Sequence, residues 1–169
     1  MQSIKLGWVF TKPYQYKKIL RSDKWLVCKT PLDDDEQLVF ERAKSAFDSL
    51  KPDFKYIADR FGPWTLRKQK KTLSDGHIYI GDCDGFAVEC LRRCKDLGVS
   101  PHRFRIVACV TENKEKHMVS TIETEEGSIV FDCRANGLTD INTLLLKGYK
   151  FRSGSSPKGN WHQILNRRE

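Results

Sequence analysis

The amino-acid sequence predicts an α+β fold in which N-terminal helices pack on an antiparallel sheet and one helix begins at a cysteine. Three observations lead to this prediction. Apolar residues return at helical spacing over residues 39–50 and again over residues 84–97. Buried-strand patterns then follow one another from residue 104 to residue 133, separated by short turns. Helices followed by a run of strands are typical of α+β folds and not of βαβ repeats.

The length and composition predict one globular domain over residues 1–169. A chain of 169 residues can bury one hydrophobic core but is short for two full domains. Hydrophobic residues are 39% of the chain and charged residues 31%, which excludes wholesale disorder. No apolar run approaches the roughly 20 residues that span a bilayer, and the start of the chain has no signal-peptide pattern. We therefore expect a cytoplasmic protein without membrane insertion.

The first long helix is predicted to start within residues 31–36 and to end near Leu50. Acidic residues in its first turn suit the positive end of the helix dipole, and Pro52 prevents its continuation. We expect a second short helix around residues 54–61. Residues 64–81 then form a long connection, whose basic residues at 67–71 fit either a solvated loop or an anion-binding edge.

The next long helix is predicted over residues 84–97, with Gly98 as its C-terminal cap and Cys83 at its entrance. Three strands should follow, over residues 104–111, 117–124 and 128–133, with a turn at Glu125–Gly127. Residues 148–153 predict a fourth strand. This order of helices followed by antiparallel strands supports the α+β class.

The predicted position of Cys83 at a helix start distinguishes it from the other cysteines. The chain has six cysteines but no CxxC pair and no export signal, so we expect six free thiols, most of them small buried side chains. Cys83, in the segment GDCDG, is the one placed in a first helical turn, where free N–H groups and the helix dipole stabilise a thiolate. A lowered thiol pKa is therefore predicted for Cys83.

His117 and Asp132 are the candidates for a general base and for the group that orients it. Side chains alternate along a strand, so these two share a face only if paired residue numbers add to an odd value. Pairs that add to 251 place Asp132 opposite Val119 and diagonal to His117. The same register collects an apolar set on the other face: Met118, Ile122, Ile129 and Phe131. His162 is a competing base, which we interpret as part of a packed chain end.

Four segments between residues 80 and 137 carry a family resemblance: GDCDGFAVECLRRCKDLGV, FRIVACV, KHMVSTI and GSIVFDCRANG. In residue type, order and element they resemble the bacterial transglutaminase-like cysteine proteinases, which have a papain-like, transglutaminase-type core. The resemblance implies Cys83 as nucleophile, His117 as general base and Asp132 as orienting carboxylate. It also implies one transglutaminase-like peptidase domain, with a basic helical part at residues 1–80 and the catalytic core at residues 81–153.

The resemblance bears on cofactors and on location as well. Some family members bind calcium through acids that flank the cysteine; Asp82 and Asp84 match these acids, whereas Gly85 replaces the second acid of the usual pair. The resemblance therefore implies no required cofactor, with Asp82 and Asp84 as the candidate calcium ligands. Without calcium, Asp82 would cap the helix and Asp84 would favour its dipole. The compact form resembles members carried by phages and prophages, which implies a virion or host-cell location if the protein is phage-encoded.

The function predicted from these residues is acyl transfer, as a cysteine peptidase that cleaves amide bonds in proteins or peptides. Transglutamination, deamidation and amidase cleavage would use the same three residues. The alternative from another class is a non-catalytic protein that binds nucleic acid or protein. Residues 1–80 carry 16 basic and 10 acidic groups, against 14 and 12 in residues 81–169, so the basic half would serve either that binding or the recruitment of an acidic substrate.

Overall fold

The computed structural model describes residues 10–14, 36–57, 67–68, 76, 79–124, 127–155 and 161–164. The elements in chain order are β1 (Phe10–Tyr14), α1 (Glu36–Leu50), β2 (Phe54–Tyr56), β3 (Arg67–Lys68), β4 (Tyr79–Gly81), α2 (Cys83–Asp96), β5 (Phe104–Val110), β6 (Lys116–Thr124), β7 (Gly127–Phe131), β8 (Thr139–Asp140), α3 (Ile141–Lys147), β9 (Lys150–Ser155) and β10 (Trp161–Ile164). Short 3₁₀ helices at Lys51–Asp53 and Pro101–Arg103 precede β2 and β5.

One antiparallel sheet organises the described part of the chain. Its strand order is β1-β10-β9-β5-β6-β7-β8, and each neighbouring pair runs antiparallel. Side chains of α1 and α2 form one apolar cluster with β5, β6 and β7. Side chains of α3 join a second cluster with the alternate residues of β5, β6 and β7. Because strand side chains alternate between faces, the helices cover opposite sides of the sheet. The α+β prediction is confirmed.

The hairpin of β6 and β7 has the register that the sequence predicted. Ser120 pairs with Phe131 and Thr124 with Gly127, so paired numbers add to 251. The predicted apolar set faces α1 and α2: Ile122 and Phe131 are buried in that cluster, and Met118 and Ile129 pack against it. The alternate positions, including Val119 and Val130, belong to the cluster on the other face. A shift of the pairing by one residue would move each set of side chains to the opposite face of the sheet. Because both faces are buried, the observed register is the one that both clusters require.

Helix α2 is built as its sequence predicts, and it starts one residue earlier, at Cys83 itself. The Asp82 side chain accepts a hydrogen bond from the Gly85 backbone at 3.0 Å and caps the N-terminus. Gly98 follows the other end with a φ of +97°, the left-handed region that glycine adopts without strain. Helix α1 packs beside α2, with the Phe47 and Phe86 rings 5.7 Å apart. Cys83 is therefore carried on a capped, buried helix.

The predicted short helix at residues 54–61 is wrong for its described part. Phe54–Tyr56 is a strand that pairs in parallel with Tyr79–Gly81, and Arg67–Lys68 adds an antiparallel strand on the other side. Two segments of the predicted connection, residues 64–81, are therefore strands of a second, small sheet. Helical spacing did not identify β2, because its hydrogen-bond partner lies about 25 residues further along the chain.

Helix α3 was not predicted from the sequence, although both of its ends carry helix signals. The Asp140 side chain accepts a hydrogen bond from the Thr143 backbone at 2.8 Å. Gly148 ends the helix with a φ of +107°, and the Tyr149 backbone N–H returns to the Leu144 carbonyl. This helix end delivers Tyr149 to the sheet. The predicted fourth strand, at residues 148–153, is observed as β9 over residues 150–155.

No helix among the described residues is long and apolar enough to cross a bilayer. The five described cysteines, Cys83, Cys90, Cys94, Cys109 and Cys133, are free thiols, as predicted. Cys28 lies outside the described residues.

Candidate active site

Cys83 is the first residue of α2, and its thiol lies against β6. The thiol donates to Asp84 Oδ1 over 3.3 Å. The backbone of Met118, the residue after His117, also makes a hydrogen bond to the thiol. Burial and then the charge of Asp82 raise the pKa of Asp84, whereas the His117 ring is close enough to lower that pKa by its charge. The Cys83 thiol thus lies at the backbone of the residue that follows His117 in β6.

The surroundings of the Cys83 thiol oppose its ionisation. Burial raises the thiol pKa above its ordinary value, and the Asp84 carboxylate raises it further by its charge and by accepting the S–H hydrogen bond. The Met118 backbone hydrogen bond acts in the opposite direction but is the smaller effect. The prediction of a lowered pKa is therefore wrong for this arrangement, because a helix start that is itself half-buried beside an acid does not favour a thiolate.

His117 and Asp132 form a direct pair. His117 Nε2 lies 2.8 Å from Asp132 Oδ1, and both side chains are buried. This contact follows from the hairpin register, which puts Asp132 one place beyond β7 and diagonal to His117. Because Nε2 is engaged by the carboxylate, Nδ1 is the ring nitrogen left to exchange a proton with another group.

Asp132 is held by more than the histidine. Its side chain is 1% exposed, and it also accepts the Arg134 backbone N–H at 2.9 Å and the Tyr149 hydroxyl at 2.7 Å. Burial by itself would raise the pKa of this carboxyl group. The hydrogen bond and the charge of His117, followed by the bonds from Arg134 and Tyr149, overcome burial and lower the pKa. Asp132 is therefore an ionised, fixed acceptor for the imidazole.

Tyr149 is the functional-site residue that sequence reasoning missed. Besides its bond to Asp132, its hydroxyl accepts a hydrogen bond from Arg134 at 2.8 Å, and its ring meets the His117 ring edge-on at 6.1 Å. Arg134 is in turn paired with Glu112 at 2.9 Å. No local pattern marks Tyr149, which lies 17 positions after Asp132. The glycine cap of α3, directly before it, is the only sequence signal that fixes its place.

The start of β6 lacks a β7 partner beside these residues. Strand β7 ends at Phe131, opposite Ser120, so the start of β6 extends past its neighbour. Asp132 begins the turn that leaves β7, and the Ala135 N–H bonds to its carbonyl at 3.0 Å. The thiol, on the α2 side, bonds to the β6 backbone at Met118. His117 alternates with Met118 and therefore shares the face of Val119, where Tyr149 bonds to Asp132.

The candidate calcium ligands have other partners. Asp82 Oδ1 caps α2, and Asp84 Oδ1 accepts the thiol hydrogen bond. Within the described ranges, Asp82 and Asp84 belong to no group of three metal-ligating side chains. The group that does occur there joins His117 and Asp132 to Cys133, with donor atoms within 4.8 Å of one another.

The competing base is placed elsewhere. His162 lies on β10, which β9 and β5 separate from β6.

A cysteine at a helix start beside a histidine–aspartate pair on an antiparallel sheet defines the class of transglutaminase-like cysteine proteases. Residues 66–169, more than half of the chain, match the family described as bacterial transglutaminase-like cysteine proteinase, BTLCP. The chain belongs to this family, and it is a cysteine peptidase-like enzyme whose substrates are proteins.

Solved structures share the fold. Calcium-bound LapG of Legionella pneumophila is 16% identical with a TM-score of 0.54, and the alignment covers 90% of this chain and 89% of that chain. LapG of the same organism after EGTA treatment is 19% identical with a TM-score of 0.54, covering 88% of this chain and 79% of that chain. No curated protein matches the chain.

Proposed function

We propose that Cys83, His117 and Asp132 are the nucleophile, the general base and the orienting carboxylate of a peptidase that hydrolyses amide bonds in proteins or peptides. The observation that carries this proposal is the 2.8 Å contact from His117 Nε2 to Asp132, which leaves Nδ1 free of the carboxylate. The hydrogen bond from the Met118 backbone to the thiol places Cys83 against the same stretch of β6. The carboxylate fixes the tautomer and the orientation of the ring, and it stabilises the imidazolium that forms during attack.

In the first half-reaction, Cys83 Sγ attacks the carbonyl carbon of the scissile amide while His117 takes the thiol proton. The new S–C bond gives a tetrahedral oxyanion, next to backbone N–H groups of the first turn of α2 that have no partner inside the helix. When the C–N bond breaks, His117 returns the proton to the leaving amine. Water, deprotonated by His117, then cleaves the thioester and releases the acid and the thiol.

The raised pKa of Cys83 gives the histidine a specific task. A thiol that stays protonated at neutral pH must lose its proton as it attacks, so His117 acts as a true general base. The lowered pKa of Asp132 supports this role, because the carboxylate stays ionised wherever the imidazole is active.

The proposal is tested by cleavage-site profiling of a peptide library with wild type, Cys83→Ala and His117→Ala. We expect cleavage by wild type, a loss of about 10³-fold or more in Cys83→Ala, and a loss of about 10²- to 10⁴-fold in His117→Ala. His102→Ala is the matched control: His102 is exposed, within the 3₁₀ helix before β5, and its replacement should leave full activity. Equal cleavage by wild type and Cys83→Ala would contradict the triad.

The charge of the chain bears on the substrate. The basic excess of residues 1–80 favours an acidic protein substrate. Added salt should then weaken the binding of that substrate and raise the KM. If the Cys83 thiol is unreactive and the protein binds nucleic acid in a salt-sensitive way, the non-catalytic alternative is favoured instead.

Calcium fits the described residues poorly. A calcium ion takes six to eight oxygen ligands, and Asp82 and Asp84 supply two carboxylates that already bond to the helix and to the thiol. LapG, the similar protein, is described in a calcium-bound form. For this chain we propose that Asp82 caps α2 and that Asp84 restrains the thiol, and no catalytic step is assigned to calcium.

A further inference from the structure

Strand β2 runs beside the peptide that leads into Cys83. Tyr56 pairs with Gly81 in the parallel ladder, and the Ile57 N–H donates to the Gly81 carbonyl at 2.8 Å. Gly81 is separated from Cys83 only by the capping residue Asp82. The end of β2 is therefore level with the start of α2.

The side chain of Tyr56 leaves β2 on the same side as that of Phe54, because residues two apart in a strand share a face. Phe54 is buried, and its ring packs on Phe86 at 4.8 Å. Phe86 lies three residues after Cys83, less than one helical turn further along α2. The face that carries Phe54 and Tyr56 is thus turned towards the N-terminal end of α2.

Tyr56 is 57% exposed, whereas Phe54 is 7% exposed. The pKa of the Tyr56 phenol is raised. Partial burial is the largest cause, followed by the negative charges that Cys83, Cys133, Asp82 and Asp84 can carry. The phenol thus lies within electrostatic range of the nucleophile. An aromatic ring left largely open beside a nucleophile, and backed by the buried Phe54–Phe86 pair, offers apolar area that a bound side chain can cover.

We propose that Tyr56 forms the aromatic wall of a substrate-binding subsite that accepts an aromatic or large apolar side chain next to the scissile amide. This inference rests on the proposed function, since it gives the Cys83 peptidase a substrate class. The ring supplies contact area and the hydroxyl group is not required. An aromatic substrate side chain stacked on Tyr56 places the neighbouring carbonyl carbon at the first turn of α2.

The charges around Tyr56 add a second selectivity. The charges of Asp82 and Asp84 act on Tyr56, so an acidic residue at this substrate position meets like charge. Acidic residues that the basic N-terminal half attracts would then lie elsewhere in the substrate and not beside the scissile amide.

The test compares two peptide series that differ only beside the cleaved amide, one with Phe and one with Gly, in wild type, Tyr56→Phe and Tyr56→Ala. For the Phe peptides, Tyr56→Ala is expected to lower kcat/KM about tenfold, whereas Tyr56→Phe stays within about twofold of wild type. For the Gly peptides all three proteins should agree within about twofold. Phe40→Ala is the matched control: Phe40 is an aromatic residue of α1 that is 48% exposed.

Phe40 lies at the opposite end of α2 from Cys83, since nearby Arg42 bonds to the Gly98 carbonyl. Equal losses in Tyr56→Ala for the Phe and Gly peptides would overturn the subsite while leaving the peptidase intact. A loss in Tyr56→Phe as large as in Tyr56→Ala would assign the effect to the hydroxyl group and would also overturn it. No cleavage by wild type at any position would overturn both the subsite and the proposed function.

Discussion

Cys83 is subject to two opposing local effects. Its place at the start of α2 offers free N–H groups and the positive end of the helix dipole. Its burial and the adjacent Asp84 carboxylate favour the neutral thiol, and they prevail. A neutral thiol is a slow nucleophile and is oxidised slowly, so the proton transfer to His117 becomes the step that activates it.

Replacing Asp84 by Asn should increase the reactivity of Cys83. The substitution removes the neighbouring charge and the carboxylate that accepts the S–H bond, so the thiol pKa should fall. Iodoacetamide labelling of Cys83, followed by mass spectrometry from pH 6 to pH 10, should show a mid-point at lower pH than in wild type. At neutral pH, where the thiolate is the reacting species, alkylation should be about tenfold faster. Asp96→Asn, at the far end of the same helix, is the control; equal rates in both variants would contradict the role given to Asp84.

At the scale of elements, sequence patterns predicted what neighbours in the chain determine. Helix α2 and strands β5 to β7 have continuous apolar spacing and local caps, and their bounds agree with the prediction within about two residues. Strand β2 was mistaken for a helix because its three residues are stabilised by β4 and by Phe86, which lie far along the chain. Short elements depend on such contacts more than on propensity.

The end of α3 sets the position of Tyr149, and Gly148 should be sensitive for this reason. Its φ is +107°, and an added Cβ would lie 3.2 Å from Glu112 Cβ. Gly148→Ala should lower the free energy of unfolding by about 1–2 kcal/mol, measured by urea denaturation, and it should reduce cleavage by displacing Tyr149 from Asp132. Gly137→Ala is the control, because a Cβ there meets nothing within 4 Å. Equal stability of the two variants would contradict this account.

At the scale of the molecule, residues before Cys83 are part of its core. Side chains of α1 are buried against α2, and the Lys51 ammonium group donates to the Cys133 carbonyl next to Asp132. Residues 1–80 therefore contribute packing contacts to the site through α1 and β2, in addition to their positive charge. The single-domain organisation over residues 1–169 stays a prediction.

Calorimetry of the full chain tests that organisation together with the calcium proposal. We expect one cooperative unfolding transition, because α1, α2 and the sheet share a core. The transition temperature should be the same in calcium and in EGTA, since a ligand that binds the native state would raise it. Two separated transitions would contradict the single domain, and a lower Tm in EGTA would show that calcium binds the native protein.

The sequence by itself determined the α+β order, a helix with Cys83 at its entrance and the hairpin parity that puts His117 and Asp132 on one face. These follow from periodicity and caps, which act over a few residues. Only the tertiary structure decided that β2 is a strand beside the nucleophile, that Tyr149 supports Asp132 and that the thiol pKa is raised. Those properties depend on burial and on contacts between distant segments, which no local pattern contains.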